Sequence, residues 1–308
     1  MKAYLLAVLA CTLVCSAIVA AADLGTGDRH QRTLLLRGPY VALGDSYTAG
    51  PDIPEQTGLP PGCDRSDENY PALVAARLEL TGSDFRDMSC SGATISDLTG
   101  PQSTGNGVNP AQLSALSSTT MLVTLGIGGN DIGFSSLITR CVEAGLVYYA
   151  IGDKLFDSGD APCRQEYTAD GTDEVQQRIR TAGTALSEAL DEIERRAPRA
   201  QVYVVGYPAI LPSGGTGCAR TMGLAPGDVS YLQQTEQELD AMLQQQAKAA
   251  GAGYVDTYTP STGHDACSAE DTRWIEPLLP QSAAASVHPN ERGERGMADA
   301  VLGALAVQ

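Results

Sequence analysis

The chain has 308 residues, 43% of them apolar, enough to bury a sizeable core as one large domain or two small ones. Its formal net charge is −17 at pH 7, from 20 Lys and Arg against 37 Asp and Glu. An acidic chain of this kind repels phosphate backbones and anionic membrane surfaces, which argues against nucleic acid and anionic lipid surfaces as partners.

Residues 1–22, MKAYLLAVLACTLVCSAIVAAA, start with Lys2, continue as an apolar run and end in small residues before Asp23. That order reads as a secretory signal peptide cleaved near Ala22, so the protein is expected to be secreted, with no stable membrane insertion after cleavage. The run is also long enough for an uncleaved anchor, the competing reading. Residues 23–37 are polar and aperiodic, as in a flexible N-terminal arm.

From residue 38 onward, short apolar runs alternate with helical patterns. Strands are predicted at Tyr40–Leu43, Phe85–Ser89, Met121–Gly126, Gln201–Val205 and Tyr254–Thr257. MLVTLG at 121–126 is apolar almost throughout, as a central strand covered on both faces must be. Helices are predicted at Asn69–Leu80, across 172–198, at Asp228–Ala250 and at Met297–Val307. In the second of these Val175, Ile179, Ala182, Leu186, Leu190 and Ile193 recur every three or four residues. Acids open it, Arg195 and Arg196 close it, and Pro198 stops it. This rhythm predicts a single α/β domain with a parallel sheet, whose ligand crevice lies outside the carboxyl ends of the strands. The segments 51–68, 101–118, 157–171, 208–227 and 259–290 are too long to be simple connections and are expected to surround that crevice.

Beyond the leader, six cysteines remain: Cys63, Cys90, Cys141, Cys163, Cys218 and Cys267. An even number in an exported chain points to disulfides, and about 15 pairings are open to six cysteines. No CxxC spacing occurs and there are only 3 histidines, so a metal site is not expected.

The first strand ends in YVALGDSYTAG, which puts Ser46 at the sheet edge. Gly-Asp-Ser is also a common turn composition, so this block alone decides nothing. A serine hydroxyl needs a base to become a nucleophile, and histidine is the usual one. His30 falls in the arm, His264 lies three residues from Cys267 and suits a structural place, and His288 precedes the last helix in SVHPNERG. His288 is therefore the favoured base. Gly92, in SCSGATISDL, follows the second strand at an expected helix start, where a backbone N–H can approach a ligand closely. Asn130, in GIGGND, follows the central strand, where its amide can donate to a developing oxyanion. Taken singly, Gly92 reads equally as a turn glycine and Asn130 as a helix cap.

The four blocks in this order, GDSYTAG, SGATISDL, GGND and SVHPNERG, resemble the SGNH (GDSL-type) hydrolases over nearly all of the mature chain. GHDAC, RWIEPL and the six cysteines are further similar to the secreted bacterial esterases and lipases of that family. The resemblance implies a flavodoxin-like three-layer α/β/α fold for a catalytic domain at 38–308. It also implies sequential disulfides, Cys63–Cys90, Cys141–Cys163 and Cys218–Cys267. Carried over, Ser46 is the nucleophile and His288 the general base and acid. The N–H groups of Ser46 and Gly92 with the amide of Asn130 form the oxyanion hole. The GxSxG hallmark of the α/β-hydrolases is absent around Ser46. Many family members carry Asp three residues before the histidine; here that position is Ala285. A Ser46–His288 dyad is thus expected, with the main-chain carbonyl of Ala285 or Ser286 orienting the imidazole and Asp45 propping the turn.

These expectations add up to a secreted, monomeric carboxylic-ester hydrolase acting on small-molecule or lipid esters, with no metal or organic cofactor. A carbohydrate acetyl esterase and a catalytically silent binding module are the alternatives. GLVYYAIGDKLF at 145–156 is the candidate wall of an acyl groove, with a helix packed on the core as its plainer reading.

Overall fold

The structure is a computed structural model that describes residues 38–58, 62–151, 160–214 and 218–307. The signal peptide and arm expected at 1–37 lie outside these residues. Strand β1 (Tyr40–Gly44) runs into the single turn α1 (Ser46–Ala49), and α2 (Tyr70–Arg77) leads to β2 (Phe85–Asp87). The short helix α3 (Ser96–Thr99), the hairpin β3 (Gln102–Thr104) and β4 (Gly107–Asn109), and a 3₁₀ turn at Gln112–Ala115 precede β5 (Leu122–Gly126). Helices α4 (Phe134–Ile151), α5 (Pro162–Tyr167) and α6 (Glu174–Arg196) follow, then β6 (Gln201–Val205), α7 (Pro226–Ala249) and β7 (Gly253–Val255). The chain closes with α8 (Tyr258–Ser261), an irregular stretch, and α9 (Glu291–Val307).

The main sheet has the order β2-β1-β5-β6-β7 and every pairing in it is parallel. All residues of β1 and β5 are buried, which explains why both read as unbroken apolar runs. Helix α2 packs on α9 and α6 packs on α7, and the right-handed crossovers that parallel strands favour place such pairs on the two faces of a sheet. This is the three-layer α/β/α arrangement the resemblance implied. The chain leaves β1 toward β2 on one side and returns through β5 on the other, so the topological switch point lies between β1 and β5. Register there pairs Gly44 with Gly126 at the carboxyl ends.

The predicted face of α6 is buried throughout, and Asp173 caps the helix by accepting from the N–H groups of Val175 and Gln176. Two of the longer helices differ from expectation. Helix α4 was not predicted as a whole; it takes in the start of the proposed groove segment, with Leu146 and Val147 exposed on its surface. Helix α9 begins six residues before Met297, capped by Asn290, whose Oδ1 accepts from Arg292 and Gly293 N–H. Gly293 and Gly296 obscured that start in the sequence. They are there for space, since a Cβ at Gly296 would fall inside the Trp274 ring.

The three disulfides are Cys63–Cys90, Cys141–Cys163 and Cys218–Cys267. They close loops of 27, 22 and 49 residues, each contributing about 3–4 kcal/mol in the chain-entropy model. Among the described residues, no helix is long and apolar enough to cross a membrane.

Candidate active site

The site grows out of the end of β1. Gly44 exchanges two hydrogen bonds with the Gln112 side chain: its N–H donates to Oε1 (2.8 Å) and its carbonyl accepts from Nε2 (2.9 Å). Asp45 N–H then donates to Gly126 O (2.9 Å), the last main-chain link between β1 and β5. No side chain fits at Gly44, where a Cβ would stand 2.2 Å from Thr48 Oγ1 and 2.5 Å from Gly126 O. Beyond it the chain turns at once into α1, with Asp45 as its cap: Oδ1 accepts from Tyr47 N–H at 3.0 Å. Asp45 therefore props the turn, as expected. Burial pushes its carboxyl up to about 7, against the lowering effect of hydrogen bonds from Tyr207 and Tyr47.

Ser46 is the first residue of α1, and its Oγ lies 2.8 Å from His288 Nε2. The other ring nitrogen, Nδ1, lies 2.8 Å from Ser286 O. A carbonyl only accepts, so Nδ1 carries the proton and Nε2 is left to accept from the Ser46 hydroxyl. Of the two candidate orienters, the geometry selects Ser286. The Ala285 carbonyl instead accepts from His288 main-chain N–H (3.2 Å), because the turn folds back on itself there. Burial pushes the imidazole below its ordinary pKa, partly opposed by the Ser286 carbonyl and Asp52, so His288 is neutral at pH 7 and available as a base.

The histidine is held by polar contacts rather than by a helix or strand. Val287 adopts φ 61°, a left-handed conformation that a β-branched residue enters only when its surroundings impose it. Its N–H donates to Glu276 O (3.1 Å), and its carbonyl accepts from Tyr47 O–H (2.5 Å). The Tyr47 ring also lies against the His288 ring, with centroids 4.9 Å apart. Behind this turn sits the buried Glu276 carboxylate, which accepts from Gln281 N–H (2.8 Å), Ser282 N–H (3.2 Å) and Asn290 Nδ2 (2.8 Å). Burial raises its pKa, but these bonds and Arg273 outweigh that and hold it below the usual range. Neither Glu276 nor Asp265 takes the Nδ1 proton; Asp265 accepts from Cys267 N–H instead.

Gly92 lies in a tight turn at φ 77°, closed by Ala93 N–H donating to Cys90 O (3.0 Å). The expected helix does not start there, because the left-handed glycine is incompatible with it; α3 begins four residues later. Among the described residues neither Ser46 N–H nor Gly92 N–H donates to a protein acceptor. Asn130 gives one amide hydrogen to Ala93 O (2.9 Å), tying its turn to the Gly92 loop, and keeps the second. Asp131 strengthens the same junction, both carboxylate oxygens accepting from Ile95 N–H at 3.1 Å.

Ser46, Asn130, Ser286 and His288 line a single cavity of about 170 Å³. Its remaining wall is mostly apolar, built from Phe134, Ile138, Ile210, Leu239 and Leu278, with Tyr207 and the buried Glu236 beside them. None of residues 145–151 is in that wall: the cavity meets α4 at its first turns instead, and Leu155 and Phe156 lie outside the described residues. His264 is remote from this chemistry, stacked on Trp274 with Nδ1 against Thr272 O. The sequence reading missed Tyr207 and Gln112. Tyr207 alone had a signal, two residues past the end of β6 on the same sheet edge.

Residues 42–295 match the model of the GDSL-like Lipase/Acylhydrolase family. A protein named Lipase 2 from Streptomyces coelicolor is 40% identical over 270 residues, covering 87% of this chain and 86% of its own. A lipase from Streptomyces rimosus is 32% identical over 256 residues, 83% of this chain and 82% of its own. Among solved structures, phospholipase A1 from Streptomyces albidoflavus NA297 superposes with a TM-score of 0.69 at 28% identity, over 87% of this chain and 99% of that one. The extracellular lipase of Streptomyces rimosus gives 0.68 at 30% identity over the same shares.

Proposed function

The chain belongs to the GDSL-like lipase/acylhydrolase family, and on that footing we propose that it is a secreted serine hydrolase cleaving lipid esters through an acyl-Ser46 intermediate. The observation that carries this reading is the Ser46 Oγ–His288 Nε2 contact of 2.8 Å, with Asn130 lining the same largely apolar cavity.

The steps follow from the groups present. Ser46 Oγ attacks the ester carbonyl carbon as His288 Nε2 takes its proton. The oxyanion so formed is met, in this reading, by Ser46 N–H, Gly92 N–H and the second hydrogen of the Asn130 amide, main-chain and side-chain donors of the kind that stabilise such charge. Imidazolium then protonates the leaving alkoxide, the alcohol departs, and acyl-Ser46 remains. Water attacks it with His288 again as base, and the acid is released. In this cycle imidazolium is steadied by the Ser286 carbonyl dipole, with no carboxylate on Nδ1.

The apolar wall supports an acyl chain longer than acetyl, since each buried methylene contributes about 0.8 kcal/mol. The three disulfides support export to an oxidising compartment. Hydrolysis rates across an ester series of increasing acyl length, with Ser46→Ala as blank, test the proposal. Rates should climb from acetyl to medium chains and vanish in the blank. A maximum at acetyl would favour the acetyl-esterase alternative, and a covalent organophosphonate adduct on Ser46 would rule out a silent binding module.

A further inference from the structure

We infer that the Tyr207 hydroxyl is a positioning group for the reaction, locking the nucleophile turn to the oxyanion turn; this rests on the ester-hydrolase reading above. The Tyr207 O–H donates to Asp45 Oδ2 (2.5 Å) and accepts from Gly129 N–H (2.8 Å). One oxygen atom thus bridges the residue before Ser46 and the residue before Asn130. A main-chain N–H can only donate, so the Gly129 bond has one direction, and toward the ionised Asp45 carboxylate the Tyr207 hydroxyl is the donor.

The sheet alone does not supply this alignment. Pairing of β1 with β5 ends at Gly44 and Gly126, and Asp45 N–H to Gly126 O is the last main-chain bond across the gap. Ser46 lies one residue past that bond and Asn130 four residues past Gly126, each at the tip of its own turn. Tyr207 reaches across from a third strand to join them. It is itself firmly held: its N–H donates to Asp240 Oδ1 (2.8 Å), its ring meets Tyr47 edge-on at 5.1 Å, and only 5% of it is exposed. Tyr47 in turn contacts His288, so the strut also abuts the base. The fit at Gly129 is close, since a Cβ there would stand 3.2 Å from the Tyr207 oxygen.

The test is Tyr207→Phe, which keeps the ring lining the cavity and removes only the bridging oxygen. Tyr40→Phe is the control: it deletes another buried tyrosine hydroxyl, bonded to Thr124 Oγ1 (2.7 Å) at the far end of β1. With kinetics measured well below each variant's Tm, kcat of Tyr207→Phe on a short-chain ester should fall about 10–100-fold, the scale of a small misplacement of reacting groups. KM should stay within about twofold, because the apolar wall is intact. The rate of Ser46 labelling by an organophosphonate should fall by the same factor as kcat, while Tyr40→Phe loses Tm and keeps kcat. A Tyr207→Phe enzyme with kcat within about twofold of the parent and only a Tm loss would reduce Tyr207 to a structural residue and overturn the inference. A parent protein that neither hydrolyses esters nor takes the label would instead sink the ester-hydrolase reading. The crystal structure of Tyr207→Phe then decides the strut: a displaced Asn130 amide upholds it, and an unmoved one overturns it.

Discussion

Two regions bring their reactive groups to the same cavity by different physical means. Ser46 and Asn130 stand two and four residues beyond central parallel strands, so the sheet brings their turns side by side and the Tyr207 hydroxyl ties them together. His288 sits in the irregular stretch between α8 and α9, aimed by the buried Glu276, by Tyr47 and by a valine held at φ 61°. A strand places a residue through many repeated main-chain bonds. The loop does so through a few polar contacts, each carrying a large share of the geometry. Removing a reactive group should therefore cost activity in either region, whereas weakening the support of the loop should show chiefly as lost stability.

The strongest test of the comparison is at its chemical centre. Ser46→Ala should reduce turnover by at least ~10⁴-fold with Tm almost unchanged, measured as kcat and by thermal melting. Asn130→Ala should cost ~10²–10³ in kcat with KM little affected, as for loss of one oxyanion donor. On the loop side, Glu276→Ala should destabilise the protein by roughly 3 kcal/mol, because it strands Arg273 and several donors in a buried site. At a temperature where that variant is folded, kcat should fall less than about tenfold, since no carboxylate contacts Nδ1. A thousandfold loss there would reveal a carboxylate partner for His288.

Titration sharpens the contrast. Asp45 and Asp240 are both pushed up to about 7 by burial, from an ordinary value of 3.8. Between those values the folded protein holds protons that the unfolded chain has lost, so this stability is full at acidic pH and disappears as pH rises through about 7. Glu276 works in the opposite sense, its contribution fading as pH falls below the usual glutamate range. Tm should accordingly be higher near pH 5.5 than near pH 8.5. Activity should instead fall on the acid side below ~6.5, as His288 takes up its proton, with the midpoint displaced downward by burial. The smallest expected effect is at Ser286→Ala, which should keep kcat within about twofold, because the main-chain oxygen at that position, and not its hydroxyl, meets Nδ1.

The same contrast explains what could be read in the sequence. Strands β1 and β5 were legible because both faces are buried and the apolar run is unbroken, and the residues just past them were legible as a consequence. His288 was chosen among three histidines by its place before the last helix, not by anything in the loop that carries it. Gln112 and Tyr207 escaped because each acts across the fold on main-chain groups dozens of residues away, and no local period records such a bond. Residues 145–156 read as an acyl wall because they are rich in apolar side chains close behind Cys141. The cavity takes Phe134 and Ile138 from the beginning of the same helix, since those turns follow directly from the Asn130 corner.

The partner of the imidazole being a peptide oxygen has an evolutionary consequence. Every amino acid supplies that atom, so no single codon change at position 286 can delete it. A saturation library would find two indispensable side chains where an enzyme with a full triad shows three. Its intolerance would surface instead as lethality of insertions, deletions and prolines around 285–288, where the path of the backbone, rather than the identity of any residue, is what heredity must conserve.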